Sequence, residues 1–109
     1  VDFKSSIIKS INSEMRTFNI DTNLLATQKE AEAILALIKL KRLRDTYRQG
    51  WEPNYRDNSY KYVIAYYDTA IKCEIFVNYS TILSFQSAEI RDKFYANFKD
   101  LIEQAKEFI

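Results

Sequence analysis

The hydrophobic positions of this chain change their spacing twice. Before residue 50 they recur every three or four residues, between residues 60 and 85 they largely alternate, and after residue 87 the helical spacing returns. This order predicts an α+β domain with two N-terminal helices, a three-stranded antiparallel meander and a long C-terminal helix. We expect residues 1–109 to form a single domain, in which residues 1–23 are either integral or a peripheral helical arm.

Both predicted N-terminal helices carry start signals. The first, over residues 3–18, follows Asp2, which is suited to cap it. The second, over residues 27–49, opens with a capping box, in which the Thr27 hydroxyl accepts from the Glu30 amide and the Glu30 carboxylate reaches back. Its broad apolar face consists of Ala33, Ile34, Leu37, Ile38, Leu40 and Leu43.

The only glycine, tryptophan and proline of the chain lie within one short turn. We expect Gly50 to end the second helix, because glycine adopts positive φ without steric cost. Pro53 then prevents the helix from resuming. For Trp51, packing at the junction of helix and sheet is the expected role, and a contact with a partner protein is the alternative.

Three strands are predicted over residues 60–67, 70–77 and 81–85, with short turns between them. Short connections favour antiparallel pairing of neighbours in sequence, hence the predicted meander. Ser87 is placed to cap the final helix. The apolar stripe of that helix consists of Ile90, Phe94, Phe98, Leu101, Ile102, Ala105 and Ile109.

The amino-acid composition lacks most of the groups that enzymes use for catalysis. The chain has no histidine, one cysteine and one glycine, so a CxxC zinc site, a phosphate-binding loop and a glycine-rich dinucleotide turn are excluded. We therefore expect no enzyme activity, cofactor, metal or small-molecule substrate. Cys73 alternates with Ile71 and Ile75, which favours a buried, unreactive side chain. No membrane-length apolar run or signal-peptide pattern occurs, so we expect a soluble intracellular protein.

Aromatic side chains concentrate on one side of the first strand. Tyr60, Tyr62 and Tyr66 share that side with Ile64, and they face outward if the opposite side packs on the helices. Phe76 could then extend the surface from the neighbouring strand. Three interpretations remain open: a partner-binding surface, a face covered by the same chain, and a stacking platform for single-stranded nucleic acid.

A second candidate surface is basic. Lys41, Arg44 and Arg48 lie closest together on one side of the second helix, where they could contact nucleic-acid phosphates. The alternative is a solvated helix end whose positive charges complement the helix dipole. The net charge of +1 provides no general attraction for nucleic acid, so only this local cluster supports the first interpretation.

Three short motifs of this chain occur together in one known family. They are Gly50-Trp51-Glu52-Pro53-Asn54-Tyr55 at the turn, Lys61-Tyr62 in the first strand and Leu83-Ser84-Phe85-Gln86-Ser87 between the last strand and the final helix. They resemble the Gly-Trp-x-Pro-Asp-Trp turn, the Lys-Tyr strand and the Leu-x-Phe-x-Ser/Thr junction of small phage and prophage proteins of Bacteroidetes. Asn54 and Tyr55 depart from the family's Asp and Trp. The resemblance implies a mobile-element origin and transfers no functional residue.

These observations predict a non-catalytic phage-type or mobile-element protein that acts through protein–protein contacts. It would be an assembly component or a binder of a host protein, with a protein partner or as a homo-oligomer. The alternative is a nucleic-acid-binding module that uses the basic end of the second helix. The expected location is the bacterial cytoplasm, in an infected host or a prophage carrier, or the virion.

Overall fold

A computed structural model describes residues 28–54, 56–78 and 80–109 of the chain. Helix α1 (Gln28–Arg48) precedes strands β1 (Lys61–Tyr67), β2 (Ala70–Phe76) and β3 (Leu83–Phe85), and helix α2 (Ala88–Ala105) ends in a 3-10 turn (Lys106–Phe108). The α+β class is confirmed for this part of the chain. The predicted helix over residues 3–18 and the capping residue Thr27 lie outside the described residues.

The strand order is β2-β1-β3, with both neighbours antiparallel to β1, so the predicted meander is wrong. The reason is the apolar character of β1. Val63 and Ile64 point to opposite faces of the sheet, and both are fully buried. A strand that is apolar on both faces is most stable in the centre of a sheet, while β2, with Lys72 and Glu74 on one face, is suited to an edge.

Helix α1 ends at the predicted turn. Gly50 has a φ of 89°, as expected, and Gln49 also adopts positive φ, at 51°. The Trp51 amide donates to the Arg48 carbonyl over 3.0 Å, and Nε2 of Gln86 donates to the same carbonyl over 3.2 Å. The carbonyls that the helix leaves without intrahelical partners are thus satisfied partly by the turn and partly by the segment after β3.

Both helices pack on one face of the sheet. The buried core cluster contains Ala36, Leu40, Leu43, Ile64, Leu83, Phe85, Phe94, Phe98, Ile102 and Ala105. Its strand residues share a face, because Ile64 lies opposite Leu83 in the ladder. Ser87 caps α2 as predicted, its hydroxyl accepting from the Ile90 amide over 3.2 Å. The predicted stripe is helical from Ile90 to Ala105 apart from a kink at Phe98 (φ −128°, ψ 28°), while its last residue, Ile109, lies beyond the 3-10 turn.

The tyrosine side of β1 faces the helices, so the condition under which it would face outward, that the opposite side packs on the helices, is not met. Tyr62 and Tyr66 share their side of the strand with Ile64, which belongs to the helix-packed core. Phe76 lies opposite Lys61 on the other face, so it does not extend this surface. Because β1 is apolar on both faces, its sequence pattern does not identify which side the helices cover.

Candidate protein-interaction surface

A partly exposed aromatic patch lies where β1 begins. We define it by Tyr60, Tyr62 and Ile75. Tyr60 directly precedes β1 and is 61% exposed, and its ring meets that of Tyr62 edge-on, with centroids 6.4 Å apart. Ile75 is the β2 residue opposite Tyr62 and is 52% exposed. The patch is contiguous because its members are cross-strand or same-side neighbours.

A buried lysine fixes the backbone under this patch. Lys61, between the two tyrosines, has a fully buried side chain whose Nζ donates to the Ser59 and Val77 carbonyls, each over 3.0 Å. It also lies 3.6 Å from the Asp57 carboxylate. Hydrogen bonds from the Ser59 hydroxyl and amide lower the pKa of Asp57, which keeps the carboxylate charged beside the lysine. The entry to β1 is therefore tied to the end of β2.

The rim of the patch is charged. The Arg91 guanidinium, from the first turns of α2, lies 5.9 Å from the centre of the Tyr62 ring and pairs with Asp92. It also donates to the Glu74 carbonyl over 3.1 Å. Exposed aromatic and aliphatic groups within a charged rim are the usual composition of a protein–protein interface.

The patch continues into the outer strand β2. Cys73 is exposed, so the prediction of a buried cysteine is wrong: its side of β2 does face the helices, but the first turns of α2, which contact β2 through Arg91 and the Glu74 carbonyl, cover that side only in part. Partial burial nevertheless raises the pKa of its thiol, and the nearby Arg91 charge opposes that effect. The thiol is thus not activated as a nucleophile.

The three basic residues predicted as a nucleic-acid surface do not form one exposed stripe. Lys41 is exposed. Arg44 donates to the Ile82 carbonyl over 3.0 Å and pairs with Asp45. Arg48 is buried, and its guanidinium donates to the carbonyl of Ser84 in β3 over 2.8 Å and to its hydroxyl over 2.6 Å. Both arginines therefore join α1 to the segment containing β3.

Trp51 is half-buried beside this junction. The Arg48 guanidinium lies 5.4 Å from the centre of its ring, a cation–π distance, so Trp51 covers the buried charge. A cleft of about 420 Å³ adjoins the pair and is lined by Arg44, Asp45, Arg48, Gly50, Trp51, Glu52 and Pro53. This position lies where α1 meets the segment containing β3, and packing at that junction stays the predicted role of Trp51.

Sequence reasoning did not identify Ile75, Arg91 or Lys61 as parts of the surface. In the sequence, Ile75 has the alternating spacing of an ordinary core residue. Its exposure follows only from the strand order, which places β2 at the edge of the sheet. Arg91 and Lys61 resemble ordinary surface charges. The cross-strand pairing of Tyr62 with Ile75, the contact of Arg91 with the Tyr62 ring and the hydrogen bonds of Lys61 bring these residues together in the folded chain.

The described part of the chain contains no group of three metal-ligating His, Cys, Asp or Glu side chains. No helix in the described segments has the length and apolar character needed to cross a membrane. Comparison with known proteins gives no match, whether with a protein family, a curated protein or a solved structure. The resemblance to phage proteins thus stays a prediction based on its motifs.

Proposed function

We propose that this protein is non-catalytic and acts by binding another protein through the aromatic patch of Tyr60, Tyr62 and Ile75. The observation that carries the proposal is the exposure of Tyr60 and Ile75, which leaves more than half of each of these large apolar side chains in contact with solvent. Such groups lose unfavourable hydration when a partner covers them. The motifs of the turn favour a phage or mobile-element protein, which would bind a host protein or a virion component.

The construction of the patch also supports binding. Lys61 and Arg91 hold the strand and the Tyr62 ring in place, so a partner meets a surface whose backbone is already ordered. Less conformational entropy is then lost on binding. Tyrosine contributes much contact area with few rotatable bonds, which makes Tyr60 the expected centre of the binding energy.

The nucleic-acid alternative gains no support from the arrangement of its residues. A phosphate-binding stripe needs several charges that reach solvent together. The hydrogen bonds of Arg44 and Arg48 to Ile82 and Ser84 direct their guanidinium groups toward the sheet. Lys41 alone would give weak binding, and because it neutralises a single phosphate the affinity would depend only slightly on salt concentration.

The proposal is tested by quantitative affinity capture from the lysate of the organism that encodes the protein. Wild type, Tyr60→Ser and Phe108→Ser serve as baits in parallel. Phe108 is a matched control, since it is also an exposed aromatic residue (38%) but lies in the C-terminal turn. We expect at least one protein to be retained by wild type and by Phe108→Ser and to fall at least tenfold with Tyr60→Ser, a loss of about 1.4 kcal/mol.

The captured protein is then purified and titrated against the same three baits by calorimetry. A dissociation constant that Tyr60→Ser raises and Phe108→Ser leaves unchanged supports the patch. Identical binding by all three baits, or no specific binding by wild type, contradicts the proposal.

A further inference from the structure

We propose that the outer edge of β2 pairs with β2 of a second copy of this chain. The two strands run antiparallel about a twofold axis at Cys73 and join two three-stranded sheets into one. Among the residues that the structure describes, only β1 pairs with β2, and it occupies one edge of that strand. The inference rests on this edge and shares Ile75 with the aromatic patch, but it does not require the partner proposed above.

The hairpin geometry determines which backbone groups point outward. β1 and β2 are joined by a two-residue turn at Asp68 and Thr69, both with positive φ, and Tyr67 pairs with Ala70. The residues that flank such a turn exchange hydrogen bonds, and the bonding then alternates along the ladder. Hence Ala70, Lys72, Glu74 and Phe76 direct their amides and carbonyls to β1. Those of Ile71, Cys73 and Ile75 point to the outer edge.

The outward-pointing amides and carbonyls of β2 can pair with the same groups of a second copy. With the twofold axis at Cys73, Cys73 lies opposite Cys73 of the second copy, and Ile71 lies opposite the second copy's Ile75. Each of these pairs brings together residues whose backbone groups point outward, so every outward amide faces an outward carbonyl. The aliphatic side chains of Ile71 and Ile75 then cover each other, which removes part of the exposed surface of Ile75 from water.

The charges of Lys72 and Glu74 favour this strand register over the registers shifted by one residue. With the axis at Cys73, Lys72 lies opposite Glu74 of the second copy, and Glu74 lies opposite the second copy's Lys72, in the closer type of antiparallel pair. A shift of the axis by one residue either way keeps the outward groups paired but places Lys72 opposite Lys72, or Glu74 opposite Glu74. Like charges in those positions disfavour the shifted pairings.

Charge reversal tests both the partner and the register. Lys72→Glu and Glu74→Lys each place like charges opposite one another twice, and the double variant Lys72→Glu/Glu74→Lys restores two opposite-charge pairs. Sedimentation equilibrium at low salt should show a reversible dimer for wild type and for the double variant. Each single variant should raise the dissociation constant at least about tenfold.

Lys93→Glu is the matched control, because Lys93 is an exposed lysine that belongs to α2 and not to β2, and it pairs only weakly with Glu89. Its dimer should be as stable as that of wild type. Circular dichroism and thermal unfolding establish that each variant is folded. A wild type that stays monomeric up to about 1 mM overturns the proposal. So does a dimer whose dissociation constant is unchanged in the two single variants, or one that the double variant fails to restore.

Oxidative cross-linking tests the position of the axis. Opposed residues of the hydrogen-bonded type have Cα atoms about 5.5 Å apart, within the range that a disulfide spans. Because Cys73 is the only cysteine, copper–phenanthroline should convert wild type to a covalent dimer, and each charge-reversed single variant much less. Equal cross-linking of wild type and single variants contradicts the register. Loss of the dimer would uncover Ile75 and would not abolish the Tyr60-dependent capture, so the two proposals fail separately.

Discussion

The side chain of Arg48 shows how far the role of a charged residue depends on its surroundings. In the sequence it belongs to a basic cluster at the end of a helix, the usual place for a solvated charge. In the structure it is buried, donates twice to Ser84 and lies over the Trp51 ring. Arginine suits this position because its planar guanidinium can donate in two directions while its face meets an aromatic ring.

Replacing Arg48 with methionine should therefore destabilise the fold. Methionine retains much of the aliphatic packing, but the Ser84 carbonyl and hydroxyl both lose a charged donor. We expect the free energy of unfolding to fall by about 2–3 kcal/mol in urea denaturation. Arg48→Lys should lose less, because one ammonium group can still reach one of the two oxygens.

Lys41→Met is the comparison for this series, since Lys41 is exposed on the same helix. Its effect should stay within about 0.5 kcal/mol. Equal, small changes for Arg48→Met and Lys41→Met would mean that the contact between α1 and β3 contributes little to stability.

At the scale of elements, the end of α1 combines two residues in the left-handed region. Gly50 adopts this conformation at no steric cost, but Gln49, with its φ of 51°, carries a side chain there. No atom lies within 4 Å of where a Cβ on Gly50 would be placed. The requirement for glycine at residue 50 is thus a matter of backbone conformation and not of space.

Two substitutions measure separately how the left-handed conformation of Gly50 and that of Gln49 affect stability. Gly50→Ala should lower the free energy of unfolding by about 1 kcal/mol, because alanine is strained at a φ of 89° and nothing else is disturbed. Gln49→Gly should leave stability unchanged or raise it by a few tenths of a kcal/mol. Thermal and urea unfolding measure both. A harmless Gly50→Ala would show that this turn is not held in the left-handed region.

Local signals predicted the elements well. The hydrophobic spacing of α1, Gly50 at its end and Ser87 at the start of α2 each depend on residues close in sequence, so the sequence was sufficient for them. The strand order was mispredicted, because short turns favour pairing of strands that are neighbours in sequence. They carry no information about β1 being apolar on both faces, which places it in the centre of the sheet. Lys61 and Arg48 were missed for a similar reason: burial of a long charged side chain depends on carbonyls far away in sequence.

At the scale of the whole molecule, the described helices share one face of the sheet, and the buried core on that face lies over β1 and β3. Among the described residues, α2 covers β2 only in part, and Ile75 and Cys73 stay exposed. Both the aromatic patch and the proposed strand pairing lie on the β2 side of the sheet. The central claim is therefore that β2 is an outer strand whose far edge is available to a partner.

Residue-resolved amide hydrogen exchange tests that claim most directly. In dilute solution, where the chain is monomeric, the amides of Lys72, Glu74 and Phe76 should exchange slowly because they donate to β1. Those of Ile71, Cys73 and Ile75 should exchange much faster, and should become protected as protein concentration rises. Equal protection of both sets in dilute solution would contradict the account, since it would mean that the outer edge of β2 is already covered.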